Sequence, residues 1–281
     1  MDANSQINFT LTHIANFNAA LVQMNLHRFW TETMAQPRYA DPKRLLRHGF
    51  KVYSQHDEDG IIQEIFRRVG APLRTFVEFG VETGVECNTA KLLIDGWRGV
   101  WIEANAQSCR AIGTIFADFI KDRRLTLKQS MVTAENINSL IEGAGLKGEI
   151  DLLSIDIDFN DYWIWKAITV VNPRVLVIEY NAGLRPPLSL TVPYRPNQSG
   201  GGSNFFGASL EALVRLGREK GYRVVGCNIS GSNAFFVRAD LCADHFLEPA
   251  TAEEHYEPPR HFFSLLFAGP HAPQPGPYVS V

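Results

Sequence analysis

The chain has 281 residues, of which 45% are hydrophobic and 20% charged, with a formal net charge of -3. That length allows one large α/β domain with appendages, while the slightly acidic balance provides no electrostatic footprint for nucleic acid or an anionic membrane. No stretch reaches the roughly 18 apolar residues of a membrane span, and the N-terminus lacks a basic-then-apolar signal layout, so a cytoplasmic protein is expected. Four cysteines, Cys87, Cys109, Cys227 and Cys242, are scattered without a C-x-x-C pair, which suits free thiols in a reducing compartment over a disulfide frame or a zinc site. Cys87 is either a reactive thiol or a small packing residue.

Residues 1 to 36 have helical character, with Ile14, Phe17, Leu21, Met24 and Phe29 near a 3.6 period, before Pro37 and Pro42 break the pattern. An extension over 1–48 is expected to serve as a lid, a cover or a surface for pairing with a second copy. Next comes SQHDEDGIIQEIFRRVG, where Ser54 or Asp57 can cap a helix that turns Ile61, Ile62, Ile65 and Phe66 inward and stops at Gly70. Its cluster Gln55, His56, Asp57, Glu58 and Asp59 either satisfies the helix dipole, lines a polar pocket or holds a metal.

From Thr75 the chain alternates regularly. Strands are expected at 75–79, 99–103, 125–130, 151–156, 175–180, 223–228 and 233–238, with helices near 86–95, 105–118, 134–142, 160–168 and 208–221. Such alternation predicts a Rossmann-like, mostly parallel sheet of seven strands with helices on both faces. The last two strands, joined by a short Asn-Ser-Gly turn in GYRVVGCNISGSNAFFV, predict an antiparallel terminal hairpin. Residues 183–204 form a Pro/Gly/Ser/Asn loop of the length common in active-site lids. After Asp240 a Pro/His-rich tail, 241–281, carries one apolar knot, HFFSLLF, expected to dock on the 49–240 domain.

The turn after the first strand reads Glu78-Phe-Gly80-Val-Glu82-Thr-Gly84. A dinucleotide turn wants G-x-G-x-x-G, so that amides approach a pyrophosphate. Here Glu82 takes the second glycine position and Val85 the third, and a carboxylate facing phosphate oxygens costs affinity. Carboxylates suit a ligand with a positive end, such as a sulfonium or an α-amino group. Glu103, about 20 residues on, suits both ribose hydroxyls.

On the stretches SQHDEDGIIQEIF, FVEFGVETGVECNTAKLL, GVWIEAN, DLLSIDIDFNDYWIWKAI, VLVIEYN and GASLEALVRLGREKGY, the chain resembles class I S-adenosylmethionine-dependent methyltransferases, and among them the FkbM-like group. The resemblance spans residues 50–240. It implies a seven-stranded sheet whose last strand is antiparallel, with S-adenosylmethionine as cofactor. By position it assigns Glu78, Gly80 and Gly84 to the first motif, Glu103 to the ribose, Ser130 and Met131 to the sides of the adenine, and Asp156 to the methionine part. Gln55, from the first stretch, joins the cofactor-binding set. Glu82 departs from the family pattern and predicts a different turn geometry.

Asp156 and Asp158 stand two apart, so they share a face if their strand continues. With Glu179 and Asn181 from the next strand they offer an oxygen set for Mg²⁺ or Mn²⁺. Two other uses stay open: Asp158 as an acid or base without metal, or Asp161 and Asn160 as helix caps beside Asp156. Asp158 and His56 are the candidate bases for taking a proton from the nucleophile. Tyr162, Trp163 and Trp165 either wall a substrate pocket or belong to the core. The N-P-P-Y-like turn of methyltransferases acting on exocyclic amines is absent after the fourth strand, so a small-molecule acceptor and O-methylation are expected. The rival readings are an NAD-dependent oxidoreductase, a non-catalytic binding protein on the same fold, and another use of the cofactor.

Overall fold

The computed structural model describes residues 3–200, 202–260 and 271–281, and the chain divides into two units, Met1–Pro42 and Lys43–Val281. In the first, α1 runs Ala3–Met34. Thr10, Thr12 and Thr31 donate their hydroxyls to carbonyls four residues back, which satisfies these polar side chains within the helix. The expected apolar stripe is exposed: Ile14 at 51%, Phe17 at 65%, Leu21 at 40% and Met24 at 68%.

The second unit begins before the expected boundary at 48. Leu45–His48 form a 3-10 turn with Leu45 and Leu46 buried, and Leu45 lies against Gly226 of the sheet. In chain order follow α2 (Glu58–Val69), β1 (Thr75–Phe79), α3 (Ala90–Ile94), β2 (Arg98–Glu103), α4 (Ala106–Ile115), α5 (Ala117–Lys121), β3 (Leu125–Gln129), α6 (Ile137–Glu142) and β4 (Gly148–Ile155). Then come α7 (Asp161–Ala167), β5 (Val171–Glu179), β6 (Leu190–Thr191), α8 (Leu210–Glu219), β7 (Tyr222–Cys227), β8 (Asn233–Arg238) and, after two short helices, β9 (Val279–Ser280).

The seven-stranded sheet has the order β3-β2-β1-β4-β5-β8-β7. β1 to β5 run parallel, and β8 lies antiparallel to both β5 and β7. This is the Rossmann-like sheet with a terminal hairpin that the alternation predicts. Every residue of β1 is buried, as a central strand covered on both faces requires. The chain builds outward from β1 to β3 and then returns to place β4 on the other side of β1. That reversal is a topological switch point, where an open α/β sheet leaves a crevice beyond its carboxyl ends.

Two expected helices are shorter or broken. The first ten residues after β1 are spent on a turn, so α3 starts only at Ala90, and the helix expected over 105–118 divides at Phe116 into α4 and α5. The small strands β6 and β9 pair with each other, so the tail from residue 271 is fastened to the 183–204 loop. The apolar knot at 261–267 lies outside the described residues. No helix among the described residues is long and apolar enough to cross a membrane.

α2 is locked from outside by Glu64, whose buried carboxylate accepts from Arg67 Nε at 2.6 Å and Arg68 Nε at 2.8 Å. The Arg67 hydrogen bond above all, with Arg68 behind it, holds Glu64 down to about 2 from an ordinary value of 4.5. A carboxylate depressed by folding contributes stability above its unfolded pKa and loses it as pH falls through the folded one. Glu64→Gln is therefore expected to cost about 2 kcal/mol at pH 7, discounted for the exposed Arg67. Urea unfolding should show the gap to wild type closing as pH drops from 4.5 toward 2.

Candidate functional site

The turn after β1 sits at the switch point and presses on β4. Gly80 has φ 69°, and a Cβ there would stand 1.7 Å from the Asp156 carbonyl oxygen. Gly84 has φ 78° and packs flat on the Trp101 ring, where a Cβ would come within 2.5 Å. Glu82 keeps a left-handed backbone, φ 48°, that a glycine would hold without cost. The substitution thus preserves the glycine-type turn, and the exposed Glu82 side chain adds a negative charge beside it.

Glu103 holds this turn in place. Its Oε2 accepts from Glu82 N at 2.9 Å and its Oε1 from Asn105 N at 2.7 Å. Each carboxylate oxygen can accept twice, so each keeps a lone pair for a ligand hydroxyl. Glu78 is placed differently from a ligand-binding acid. It is buried, and it accepts from Asn88 N at 2.9 Å, Thr89 N at 3.0 Å, Thr89 Oγ1 at 2.5 Å and Ser154 Oγ at 3.1 Å. Burial raises its pKa against those bonds, and its carboxylate closes the turn from beneath. Cys87 is buried with burial pushing its thiol well up, so it packs and is not a poised thiolate. Beyond β3, Ser130 N donates to the Glu103 carbonyl at 3.0 Å, and Met131 is 43% exposed. Both stand at the same carboxyl edge as Glu103.

The SQHDEDG cluster is a clamp between the start of α2 and the terminal hairpin. Asp59 Oδ2 gathers the amides of Val52, Tyr53 and Ser54 at 2.7, 2.6 and 2.9 Å. Glu58 is fully buried; its Oε1 accepts from Asn228 Nδ2 at 2.6 Å and Asn233 Nδ2 at 3.0 Å, and its Oε2 from His56 N at 2.8 Å. The Asp57 carboxylate accepts from Ile229 N at 3.1 Å. Ser54 Oγ accepts from Asp59 N, while Asp57, at the cap position, makes no capping bond. His56 is half-buried, and burial lowers its pKa, partly opposed by Glu58, which leaves a neutral imidazole at pH 7. Gln55 is exposed, its carbonyl accepting from Lys51 Nζ at 3.0 Å.

At the other side of the switch point three carboxylates converge. Asp156, Asp161 and Glu179 have oxygens all within 4.8 Å of one another. In the register Ile155 lies opposite Ile178, so Asp156 and Glu179 leave neighbouring strand ends together. Asp161 is fully buried at the start of α7, and its Oδ1 accepts from Ile157 N at 2.9 Å. Its Oδ2 and Glu179 Oε2 have no hydrogen-bond partner. Burial first raises all three acids, with Asp156 and Glu179 pushed well up and Asp161 to about 7; repulsion from Asp158 and Asp161 adds on Asp156, from Asp156, Asp161 and Asp158 on Glu179, and from Asp158 on Asp161. Glu78 and Glu58 add to the repulsion on Asp156.

This is not the oxygen set expected from the sequence. Asp158 drops out because β4 ends at Ile155 and Asp158 adopts φ 64°; with the strand over, the two-residue alternation that would align it with Asp156 no longer applies. Desolvation in this turn raises the Asp158 carboxyl and His271 draws it back down. Asn181 is tied to the loop: Nδ2 donates to the Asn204 and Phe206 carbonyls, both at 3.0 Å, and Oδ1 accepts from Gly183 N at 3.0 Å. Asp161, read from the sequence as a helix cap, takes their place. The only sequence signal for it was its position at the start of a helix directly after an acidic strand end.

Tyr162 and Trp165 belong to the core, 5% and 1% exposed. Trp163 is half-buried and donates Nε1 to the Val192 carbonyl at 2.8 Å. The long loop folds over the β4–α7 turn: Asn160 Nδ2 donates to the Arg195 carbonyl at 2.7 Å, and Gly200 lies against the Asp158 side chain. Phe159, Val192, Phe205 and Tyr278 pack together beneath it. His271, Ala272 and Tyr278 bring the tail into this cover, with Asn204 N donating to the Ala272 carbonyl at 3.0 Å. The tail's part was not visible in the sequence, since it depends on a pairing of residues 190 and 280.

No protein-family model and no curated protein sequence matches the chain. Among solved structures it is similar to magnesium protoporphyrin IX methyltransferase from Synechocystis with bound S-adenosylmethionine, at 10% identity over 66% of this chain and 79% of that one, TM-score 0.44. It is also similar to the N-terminal domain of EvdMO1 in the presence of S-adenosylhomocysteine and D-fucose, at 15% identity over 76% and 94%, TM-score 0.42. A third is an S-adenosylmethionine-dependent methyltransferase from Clostridium acetobutylicum, at 10% identity over 75% and 98%, TM-score 0.41. Likeness at these scores does not carry over what those proteins bind or do.

Proposed function

We propose that the chain is an S-adenosylmethionine-dependent methyltransferase acting on an oxygen of a small-molecule acceptor. The reading rests on one observation above others: Glu103 grips the Glu82 amide of the switch-point turn and still presents a free lone pair on each carboxylate oxygen. A ribose with two adjacent hydroxyls fits that offer. The acids around the same crevice, Glu82, Asp156 and Asp158, favour a ligand with a positive centre and disfavour a pyrophosphate. Gly80 lets the ligand-side backbone run directly against β4.

Bound there, S-adenosylmethionine supplies an activated methyl group on a sulfonium. The work left to the chain is alignment and removal of one proton. Glu103 fixes the nucleoside end. Asp158, raised by desolvation, and the neutral His56 are the bases offered to an acceptor hydroxyl. Arg195 and Gly200 of the long loop lie against the β4–α7 turn.

Calorimetry with the full chain tests the reading: S-adenosylhomocysteine binds, NADH does not, and Glu103→Gln weakens the former at least about tenfold through lost charge-assisted hydrogen bonds. Binding of NADH in place of S-adenosylhomocysteine would overturn the proposal.

A further inference from the structure

We propose that Asp156, Asp161 and Glu179 form a divalent-cation site for Mg²⁺ or Mn²⁺ at the carboxyl ends of β4 and β5. Their ligand oxygens lie within 4.8 Å of one another. Oxygens on one octahedral Mg²⁺ or Mn²⁺ stand about 3 to 4 Å apart for bonds of about 2.1 Å, so the cluster needs only a small contraction.

Proximity of acids alone is common. What points to a ligand is the combination of burial with unmet bonding. Asp161 is 0% exposed, yet its Oδ2 accepts no hydrogen bond, and Glu179 Oε2, on a half-buried side chain, is also buried without a partner. Buried polar atoms without a partner are rare and call for an explanation. Among the described residues no lysine, arginine or histidine forms an ion pair with any of the three.

The geometry is also set before anything binds. The Ile157 amide holds Asp161 Oδ1 at 2.9 Å, which fixes the carboxylate while Oδ2 stays without a partner. Parallel pairing of β4 and β5 fixes the spacing between Asp156 and Glu179. A donor set of carboxylate oxygens with no nitrogen or sulfur selects Mg²⁺ and Mn²⁺ over zinc or copper. Three protein ligands leave positions for water, or for an oxygen of the acceptor. That last role rests on the methyl-transfer reading; the cation site itself does not.

The test is Mn²⁺ binding followed by the loss of its free-ion electron paramagnetic resonance signal, on the full chain without any nucleoside. Wild-type protein is expected to take up one Mn²⁺ with a Kd on the order of 10⁻⁴ M or tighter, Mg²⁺ is expected to compete, and the melting temperature should rise with either ion. Asp161→Asn keeps an acceptor for the Ile157 amide but replaces the free oxygen with a donor. It and Glu179→Gln should each weaken Mn²⁺ at least about tenfold. No uptake by wild type at millimolar Mn²⁺ overturns the site, and so does uptake that both variants leave unchanged. The wild-type titration decides by itself if a variant fails to fold. Adding S-adenosylhomocysteine separates the two proposals: Mn²⁺ uptake without nucleoside binding sinks the methyl-transfer reading alone, and nucleoside binding without Mn²⁺ uptake sinks the cation site alone.

Discussion

Gly80→Ala is expected to cost about 3 to 5 kcal/mol of stability and to abolish S-adenosylhomocysteine binding to below detection, because strain and overpacking fall at one point. The added Cβ would stand 1.7 Å from the Asp156 carbonyl oxygen and 2.9 Å from its carbonyl carbon. Both are backbone atoms, so no side chain can swing aside. The residue also sits at φ 69°, where an L side chain is strained even in open space. The only relief is to part the β1 turn from the end of β4, which moves the Glu82 amide off Glu103 and Asp156 off Glu179. Urea unfolding measures the first effect and calorimetry the second. A variant within 1 kcal/mol of wild type, about a fivefold change in the folding equilibrium, would show that the turn does not lean on β4.

The second large effect is expected at Glu58, in the clamp between α2 and the terminal hairpin. Glu58→Ala removes the acceptor for Asn228 Nδ2, Asn233 Nδ2 and the His56 amide. Donors left buried and unpaired cost about 1 to 3 kcal/mol each. Relief of the repulsion that raises the neighbouring Asp57 offsets part of the sum, so a net loss of roughly 3 to 5 kcal/mol is expected. Glu58→Gln should fall between, since its carbonyl oxygen still serves the two asparagines while its amino group faces the His56 amide. Urea unfolding of the pair of variants orders the three proteins. Equal stability of Glu58→Ala and wild type would show that the hairpin does not depend on the clamp.

The contrast between Glu58 and Glu103 shows how far acidic residues can be read from sequence. Both stand in stretches that carry the family resemblance. Glu103 ends a strand at the carboxyl edge and keeps free lone pairs. Glu58 turns inward, and Asn228 and Asn233 consume it from 170 and 175 residues away. Nothing local distinguishes the two. Glu78 makes the same point, since its motif position suggests a ligand contact while Asn88, Thr89 and Ser154 occupy it.

The proposed cation site was half legible. Asp156 and Glu179 follow from strands whose apolar runs predict their ends, and neighbouring parallel strands bring such ends together. Asp158 and Asn181 were both placed by extending a strand past its end, at Ile155 and at Glu179. A positive φ at Asp158 and a side-chain hydrogen bond at Asn181 redirected them. Asp161 entered because the chain turned sharply enough to bring the first residue of α7 back over the strand ends.

By itself the sequence determined the sheet. Alternating apolar strands and amphipathic helices, a glycine turn after the first strand and a short-turned terminal hairpin are local patterns, and local patterns specify elements and their succession. The glycines at 80 and 84 were marked in the same way, because a left-handed backbone is a requirement on one residue. Only the tertiary structure decided which acids keep oxygens without a donor at the carboxyl edge, which hold the fold, and that the tail pairs with the loop. Those outcomes depend on partners far along the chain, on the residue at which a strand stops, and on which carboxylate oxygens are left without a donor once all other pairings are made.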